Sequence, residues 1–355
     1  MSLVYWGVLL ITILLGYTSE RNPKSKQVSI GKVKTRPDPA LAAALSVILI
    51  VVAGLRHGVG TDYWAYYRTN VTDWQTVWNA FIRYKEPGIR LLSKITRDIS
   101  DSGTGLIILS SLITVGVYCL MIYRHSTMYL VSMLIFLFLG DWAGSFNGVR
   151  QYLAAAVLFA GHRFILKRKL IPYLLVVFLA SLFHRTALVM IIPFFLFTRK
   201  PDMTQFVLLA AGAFVIRLSY DIIFSLIGSY KGTIVDFQDQ YITTSINPLR
   251  IAVCFIPVIL FLLTGNKQSL NKEQTVYINA LFFNAFAMLA AAGSTYLGRI
   301  GLYTGAMVTI GYGHLFRIIP EGKNRKLIVL TVMVVLLIYW LYSLWGKDFK
   351  WIFDR

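Results

Sequence analysis

The sequence predicts an all-α polytopic membrane protein of about twelve transmembrane helices, with interfacial helices in the second and eighth loops on the outer side. Three observations carry that expectation. Of 355 residues, 57% are hydrophobic and only 14% charged, more apolar and about half as charged as a soluble domain. Apolar runs recur from end to end. Lys and Arg also alternate in density from loop to loop, as the positive-inside rule requires. The formal charge of +19 would suggest nucleic acid in a soluble chain; here the loops account for it, and no nucleic-acid partner is expected. Residues 1–355 read as a single integral membrane domain.

Spans are placed near 2–17, 40–55, 104–123, 128–140, 147–166, 170–183, 186–198, 204–219, 249–264, 275–293, 296–316 and 327–345, some shorter than the usual twenty residues. The first lacks a basic region before it, so it reads as a retained span rather than a signal peptide. The odd-numbered loops hold 19 Lys and Arg against five acids, while the even-numbered loops and tail hold 16 against 11. The denser side is cytoplasmic, which puts both termini outside. Cys119 and Cys254 each lie in an apolar run and read as packing residues. Gly301 and Gly305 form a small-xxx-small pair suited to close helix contact.

This orientation sends Arg56, Asp62, Glu86, Asp141, Arg150, His184, Arg185 and Arg299 to the outer side, at or just inside span ends. Ionisable groups at bilayer depth are costly and rarely face lipid, so their gathering from several spans predicts a polar cavity. The stretch from Gly54 to Tyr67 ends an apolar helix on Arg56, loosens at Gly58 and Gly60, and sets Asp62 before Tyr63, Trp64, Tyr66 and Tyr67. That chemistry suits a charged, sugar-like ligand at the bilayer surface. A snorkelling cation beside an aromatic belt is the plainer account.

The outer loop 56–103 carries two short helices. Asp73 caps the first, with Trp74, Val77, Trp78, Phe81 and Ile82 on one face lying in the interface. Pro87 opens the second, with Leu91, Leu92, Ile95 and Ile99 turned inward. Glu86 stands at their junction, where a charge near a helix N-terminus is the plain reading. Asn147, Arg150, Gln151 and Ala154 share a helical face. The Arg150 guanidinium suits a phosphate, with a salt bridge to Asp141 or Asp62 as the alternative. His184 sits where two apolar runs meet and exchanges a proton near neutral pH. His57, His125, His162 and His314 have no comparable company. Tyr296, Arg299 and Tyr303 share a face, and the loop 220–248 is a possible lid. The signatures of a nucleotide-driven pump, a zinc protease and a serine hydrolase are absent.

In these segments the chain resembles the EpsG-like branch of the Wzy-type bacterial polysaccharide polymerases, which build exopolysaccharide and O-antigen-like chains. The matching residues are Arg56 to Tyr67, Glu86-Pro87-Gly88 with Leu91-Leu92, Asn147 to Ala154, Phe183 to Leu188, and Arg299 with Tyr303. The resemblance implies an enzyme of the bacterial inner membrane. It would join undecaprenyl-diphosphate-linked oligosaccharide repeats on the extracytoplasmic side, working among membrane lipids beside a flippase and a chain-length regulator. It assigns Arg56, Arg150 and Arg299 to the diphosphate, and proton removal to Asp62, Glu86 or His184. Sugar contacts fall to Tyr63, Trp64, Tyr66, Tyr67, Asn147, Gln151 and Tyr303. No metal-ligating cluster is visible in the sequence, so neither a metal nor a cofactor is expected. A ligase or acyltransferase would share the outer Arg and His, and a flippase would need polar residues on both sides.

Overall fold

Apolar helices build the molecule, and a helix stands at every one of the twelve predicted segments. The computed structural model describes residues 2–22, 25–29, 32–220, 222, 246–264 and 270–353. Helix α1 (Leu3–Arg21) leads into an antiparallel pair, β1 (Ser25–Ser29) with β2 (Lys32–Arg36), and then α2 (Pro39–Gly54). Short helices α3 (Tyr63–Tyr67), α4 (Trp74–Ile82) and α5 (Pro87–Ile99) precede the long α6 (Thr104–His125). There follow α7 (Tyr129–Phe138), the one-turn α8 (Asp141–Gly144), α9 (Val149–Gly161), α10 (Arg163–Leu166) and α11 (Leu170–Ser181). A 3-10 turn (Arg185–Met190) runs into α12 (Ile191–Phe197), and α13 (Met203–Leu218) comes next. The last described elements are α14 (Pro248–Thr264), α15 (Lys272–Ala290), α16 (Thr295–Gly298), α17 (Leu302–Ile318) and α18 (Lys323–Ser343).

Local chemistry sets several boundaries. Asp38 accepts from Ala40 N at 2.8 Å in front of Pro39, and Asn271 and Gln274 form a reciprocal capping box on α15. Among the described residues, α1, α6 and α18 are long and apolar enough to cross a membrane, with six shorter apolar helices beside them. Helix α17 is the central post. Every residue from Tyr303 to Phe316 is buried, the pattern of a helix enclosed by its neighbours. Helices α7, α9 and α15 pack around it, and α9 also meets α6 and α11.

The structure corrects the sequence reading at several places. Among the described residues, the paired strands β1 and β2 interrupt the run of helices. In α5, Leu92 is buried, but Leu91, Ile95 and Ile99 are exposed. The buried face of α5 instead runs through Ile89, Leu92, Ser93 and Thr96, where the helix packs on α6. The exposed side of α5 continues the apolar surface of α4, whose Trp74, Trp78, Phe81 and Ile82 all face outward as expected for an interfacial helix. Asp73 caps α4 through Thr76 N at 2.6 Å. Gly305 packs on the Asp141 carboxylate rather than on helix backbone, and Gly301 meets the Met288 side chain. The histidines read as solitary are not. At the opposite end of the bundle His162 Nε2 lies 2.9 Å from Tyr277 Oη, His125 packs edge-on against His162, and His314 stacks on Tyr277. The possible lid, and with it the interfacial helix of the eighth loop, falls on residues 221 and 223–245, outside the described residues.

Candidate functional site

The ionisable residues singled out in the sequence do assemble at one end of the bundle, where α2, α7, α11 and α15 finish and α6, α9, α14 and α17 begin. A cavity of about 1030 Å³ opens there. Its wall includes the turn from His57 to Asp62 with Trp64, the α8–α9 junction with Asn147 and Gln151, and Arg299 just before α17. Arg250 at the start of α14 lines it, as do Tyr339 and Trp340 of α18 and Lys347, Asp348 and Lys350 of the following segment.

The turn is held to the α8–α9 junction by close backbone contact. Gly60 has φ +105°, and a Cβ there would sit 2.5 Å from the Phe146 carbonyl oxygen. Asn147 Oδ1 accepts from Thr61 N at 2.7 Å and from Thr61 Oγ1 at 3.1 Å. The same hydroxyl lies 3.3 Å from the Asp62 carboxylate, which shares its one proton with Asn147, so Asp62 reaches the cavity from a braced turn. The segment after α18 closes another side: His57 N donates to Lys350 O at 2.8 Å and Ile352 N to Leu55 O at 3.0 Å. Phe349 packs edge-on against Tyr5 of α1.

The three guanidinium groups assigned to the diphosphate do not converge. Arg299 lines the cavity. Arg56 lies beneath its floor at 1% exposure, neither snorkelling nor reaching the space above. It donates to the Ala53 carbonyl, to Ser111 Oγ at 2.9 Å, to Val59 O at 3.3 Å and to Phe146 O at 3.5 Å, with its plane over the Phe146 ring. These acceptors use the guanidinium as a brace. Arg150 takes a third course. Its side chain, 44% exposed, pairs with Glu86 instead of Asp141 or Asp62 and touches Tyr66 Oη at 3.4 Å.

Glu86 is the centre of that second cluster. Its backbone is left-handed (φ 50°), as is that of Tyr84 (φ 49°), a conformation costly for residues other than glycine. Glu86 stands at the N-terminus of α5, as the plain reading has it, but its carboxylate makes no side-chain cap. One oxygen meets Arg150; the other lies 2.7 Å from His184 Nδ1 and 3.3 Å from Arg185 N. Burial works against the charge, but the His184 contact and the Arg150 charge outweigh it and hold Glu86 below the usual carboxylate range. His184 Nε2 lies 3.1 Å from the Gln151 amide. The imidazole thus stands between the Glu86 carboxylate and the Gln151 amide. Gly88 docks the α4–α5 corner, donating from N to Leu182 O at 2.9 Å, where a Cβ would strike the Phe183 ring. Glu86 and His184 thus clasp the surface helices to α9 and α11, and Gln151 joins this clasp to the cavity.

The aromatic cluster divides likewise. Trp64, 42% exposed, lines the cavity. Tyr63 and Tyr66 are buried, and Tyr67 stacks on Tyr63 with centroids 5.8 Å apart. Tyr303 is buried, its hydroxyl 2.5 Å from Thr186 Oγ1. Of the assigned residues the cavity therefore gathers Asp62, Trp64, Asn147, Gln151 and Arg299. Sequence reasoning missed His57, Arg250, Lys347, Asp348 and Lys350. Arg250 carried a signal, a cation at the mouth of an apolar helix, as Arg150 does. Among the described residues no group of three or more His, Cys, Asp or Glu side chains is arranged to hold a metal.

Residues 40–353 match the profile of the EpsG family. No curated protein and no solved structure matches the chain.

Proposed function

The chain belongs to the EpsG family, and we propose on that premise that it is a polysaccharide polymerase of the bacterial inner membrane. In this reading about twelve helices cross the bilayer, and the cavity faces away from the cytosol. Its substrates are oligosaccharide repeats carried on undecaprenyl diphosphate. One observation carries the reading: a single cavity combines guanidinium and ammonium groups, two carboxylates, an exposed indole and two amides. Four cations (Arg250, Arg299, Lys347, Lys350) face two acids (Asp62, Asp348) there. The excess of positive charge suits a diphosphate diester.

A hydroxyl of one repeat attacks the anomeric carbon of another chain. The bond from that carbon to the diphosphate oxygen breaks, and the lipid diphosphate leaves with the electron pair. Asp62 takes the hydroxyl proton, because it alone of the three assigned groups lines the cavity. Glu86 and His184 are engaged with Arg150 and Gln151 and act through the clasp. Arg299 and Arg250 meet the negative charge that grows on the leaving group. Trp64 offers a face to a sugar, and Asn147 and Gln151 offer amides. A flippase and a chain-length regulator are the expected companions.

Reconstitution with a lipid-diphosphate-linked oligosaccharide tests this. Wild-type protein is expected to build long chains, and Arg299→Ala and Asp62→Asn each to slow growth about a hundredfold or more, the scale for removing a charge-stabilising or proton-accepting group. Normal elongation by both variants would overturn the residue roles. A single transferred glycan per acceptor would make the protein a ligase instead, and substrate crossing the bilayer at unchanged glycan length would make it a flippase.

A further inference from the structure

Tyr63, Tyr66 and Tyr303, assigned to sugar from the sequence, spend their hydroxyls inside the protein. Tyr63 Oη lies 3.4 Å from His57 Nδ1, Tyr66 Oη accepts from Arg150 Nε at 3.4 Å, and Tyr303 Oη lies 2.5 Å from Thr186 Oγ1. Two other tyrosines do not. Tyr5 of α1 and Tyr152 of α9 both line the cavity while their rings are buried, at 2% and 3% exposure. Among the described residues neither hydroxyl has a hydrogen-bond partner, which a buried tyrosine normally finds. The hydroxyls of Tyr118, Tyr129 and Tyr312 are unpaired as well, but those are sealed within the bundle. The hydroxyls of Tyr5 and Tyr152 are not sealed.

Packing fixes where each hydroxyl stands. Tyr152 Oη rests on Gly144, which also lines the cavity; a Cβ there would collide with the hydroxyl and lie 3.1 Å from Tyr152 Cζ. The glycine leaves room for a phenol that bonds to nothing in the protein. Tyr5 stands edge-on to Trp142 and to Phe349, with ring centroids 6.3 and 5.9 Å away. Donors held in this way lose little freedom when a ligand arrives. Buried rings offer that ligand only their hydroxyls, whereas the Trp64 indole offers a face. A phenol is uncharged and both gives and takes a hydrogen bond, as a sugar hydroxyl does. Phosphate oxygens only accept, and cations match them better. Gln151, next to Tyr152 on the first turn of α9, adds an amide to the same wall.

We propose that Tyr5 and Tyr152 are sugar-binding residues, whose hydroxyls hydrogen-bond hydroxyls of the oligosaccharide repeat in the cavity. The inference rests on the polymerase reading given above, and it moves tyrosine contacts with sugar from Tyr63, Tyr66 and Tyr303 to two residues that had no assigned role.

Phenylalanine substitution in the purified full chain tests this, because it removes the oxygen alone. A hydroxyl with no protein partner adds nothing to folding, so Tyr5→Phe and Tyr152→Phe are each expected to melt at or above the wild-type temperature. Each is expected to bind a lipid-diphosphate-linked oligosaccharide about three- to tenfold less tightly, the scale of one hydrogen bond, with affinity for inorganic diphosphate within about twofold of wild type. Tyr173→Phe is the control. Its hydroxyl donates to Met190 O at 2.9 Å inside the bundle, so this variant is expected to melt lower and to bind both probes as the wild type does. Unchanged affinity for the oligosaccharide in either cavity variant would overturn the proposal for that tyrosine. Melting below the wild type, as for Tyr173→Phe, or an equal loss of affinity for diphosphate would overturn it too. A wild type that holds neither probe would overturn the polymerase reading and this inference with it.

Discussion

Replacing Glu86 with glutamine separates a structural clasp from a catalytic base. Glutamine keeps the shape and removes the charge that meets Arg150 and His184. Breaking a fully buried ion pair costs about 3–5 kcal/mol, whereas an exposed pair contributes roughly 0–1 kcal/mol. Glu86 is 15% exposed and Arg150 44%, so solvent screens one partner only, and a loss of about 2 kcal/mol is expected. That is a change of about thirtyfold in the ratio of folded to unfolded protein. The assay is unfolding in lipid nanodiscs between pH 7 and pH 3, wild type against Glu86→Gln. Its pairings hold the Glu86 carboxylate below the ordinary range, so the native protein binds fewer protons than the unfolded chain in acid. The wild-type advantage is therefore present in full above the ordinary carboxylate pKa and disappears as pH falls through the lowered folded value. Polymerisation per folded molecule is expected to fall only modestly. Parallel pH curves for the two proteins, or abolished elongation at unchanged stability, would refute the clasp.

Three further substitutions follow from the geometry. Arg56→Met keeps the stem but strands the carbonyls that the guanidinium serves, at about 1–3 kcal/mol for each buried acceptor left unpaired; folded yield should drop while activity per folded molecule holds, and a well-folded inactive protein would return Arg56 to the substrate. Gly60→Ala forces an alanine into φ +105° against the Phe146 carbonyl and should cost about 1–3 kcal/mol in thermal unfolding, with the floor of the cavity displaced and elongation reduced. Trp64→Ala removes the indole from the cavity and should raise KM for the oligosaccharide about tenfold, read in steady-state elongation rates.

The helices were legible because an apolar run needs no partner to announce itself, and each of the twelve segments is helical. Asp62, Asn147, Gln151 and Arg299 were legible too, as polar groups at the ends of apolar runs with no business near lipid. What the residues could not reveal is where a long side chain spends its donors. Arg56, Arg150 and Arg299 look alike in sequence, yet one braces backbone, one pairs with Glu86 and one reaches the cavity. That choice depends on neighbours from α6, α9 and the surface helices. The face of α5 was misread because its apolar residues are enough for two surfaces, one against α6 and one outward. Lys347 and Lys350 follow the last span with no motif around them to draw notice. Their place follows from backbone pairing with residues 55 to 57, which no local pattern encodes.

That pairing has a consequence for biosynthesis. Residues 55 and 352 are stitched together, so a ribosome must pass residue 352, long after residue 55, before the wall beside His57 can close. Helices inserted early wait as an open scaffold, and a product terminated before residue 352 is left without this edge. Synthesis of the segment after α18 and closure of the cavity wall become one event.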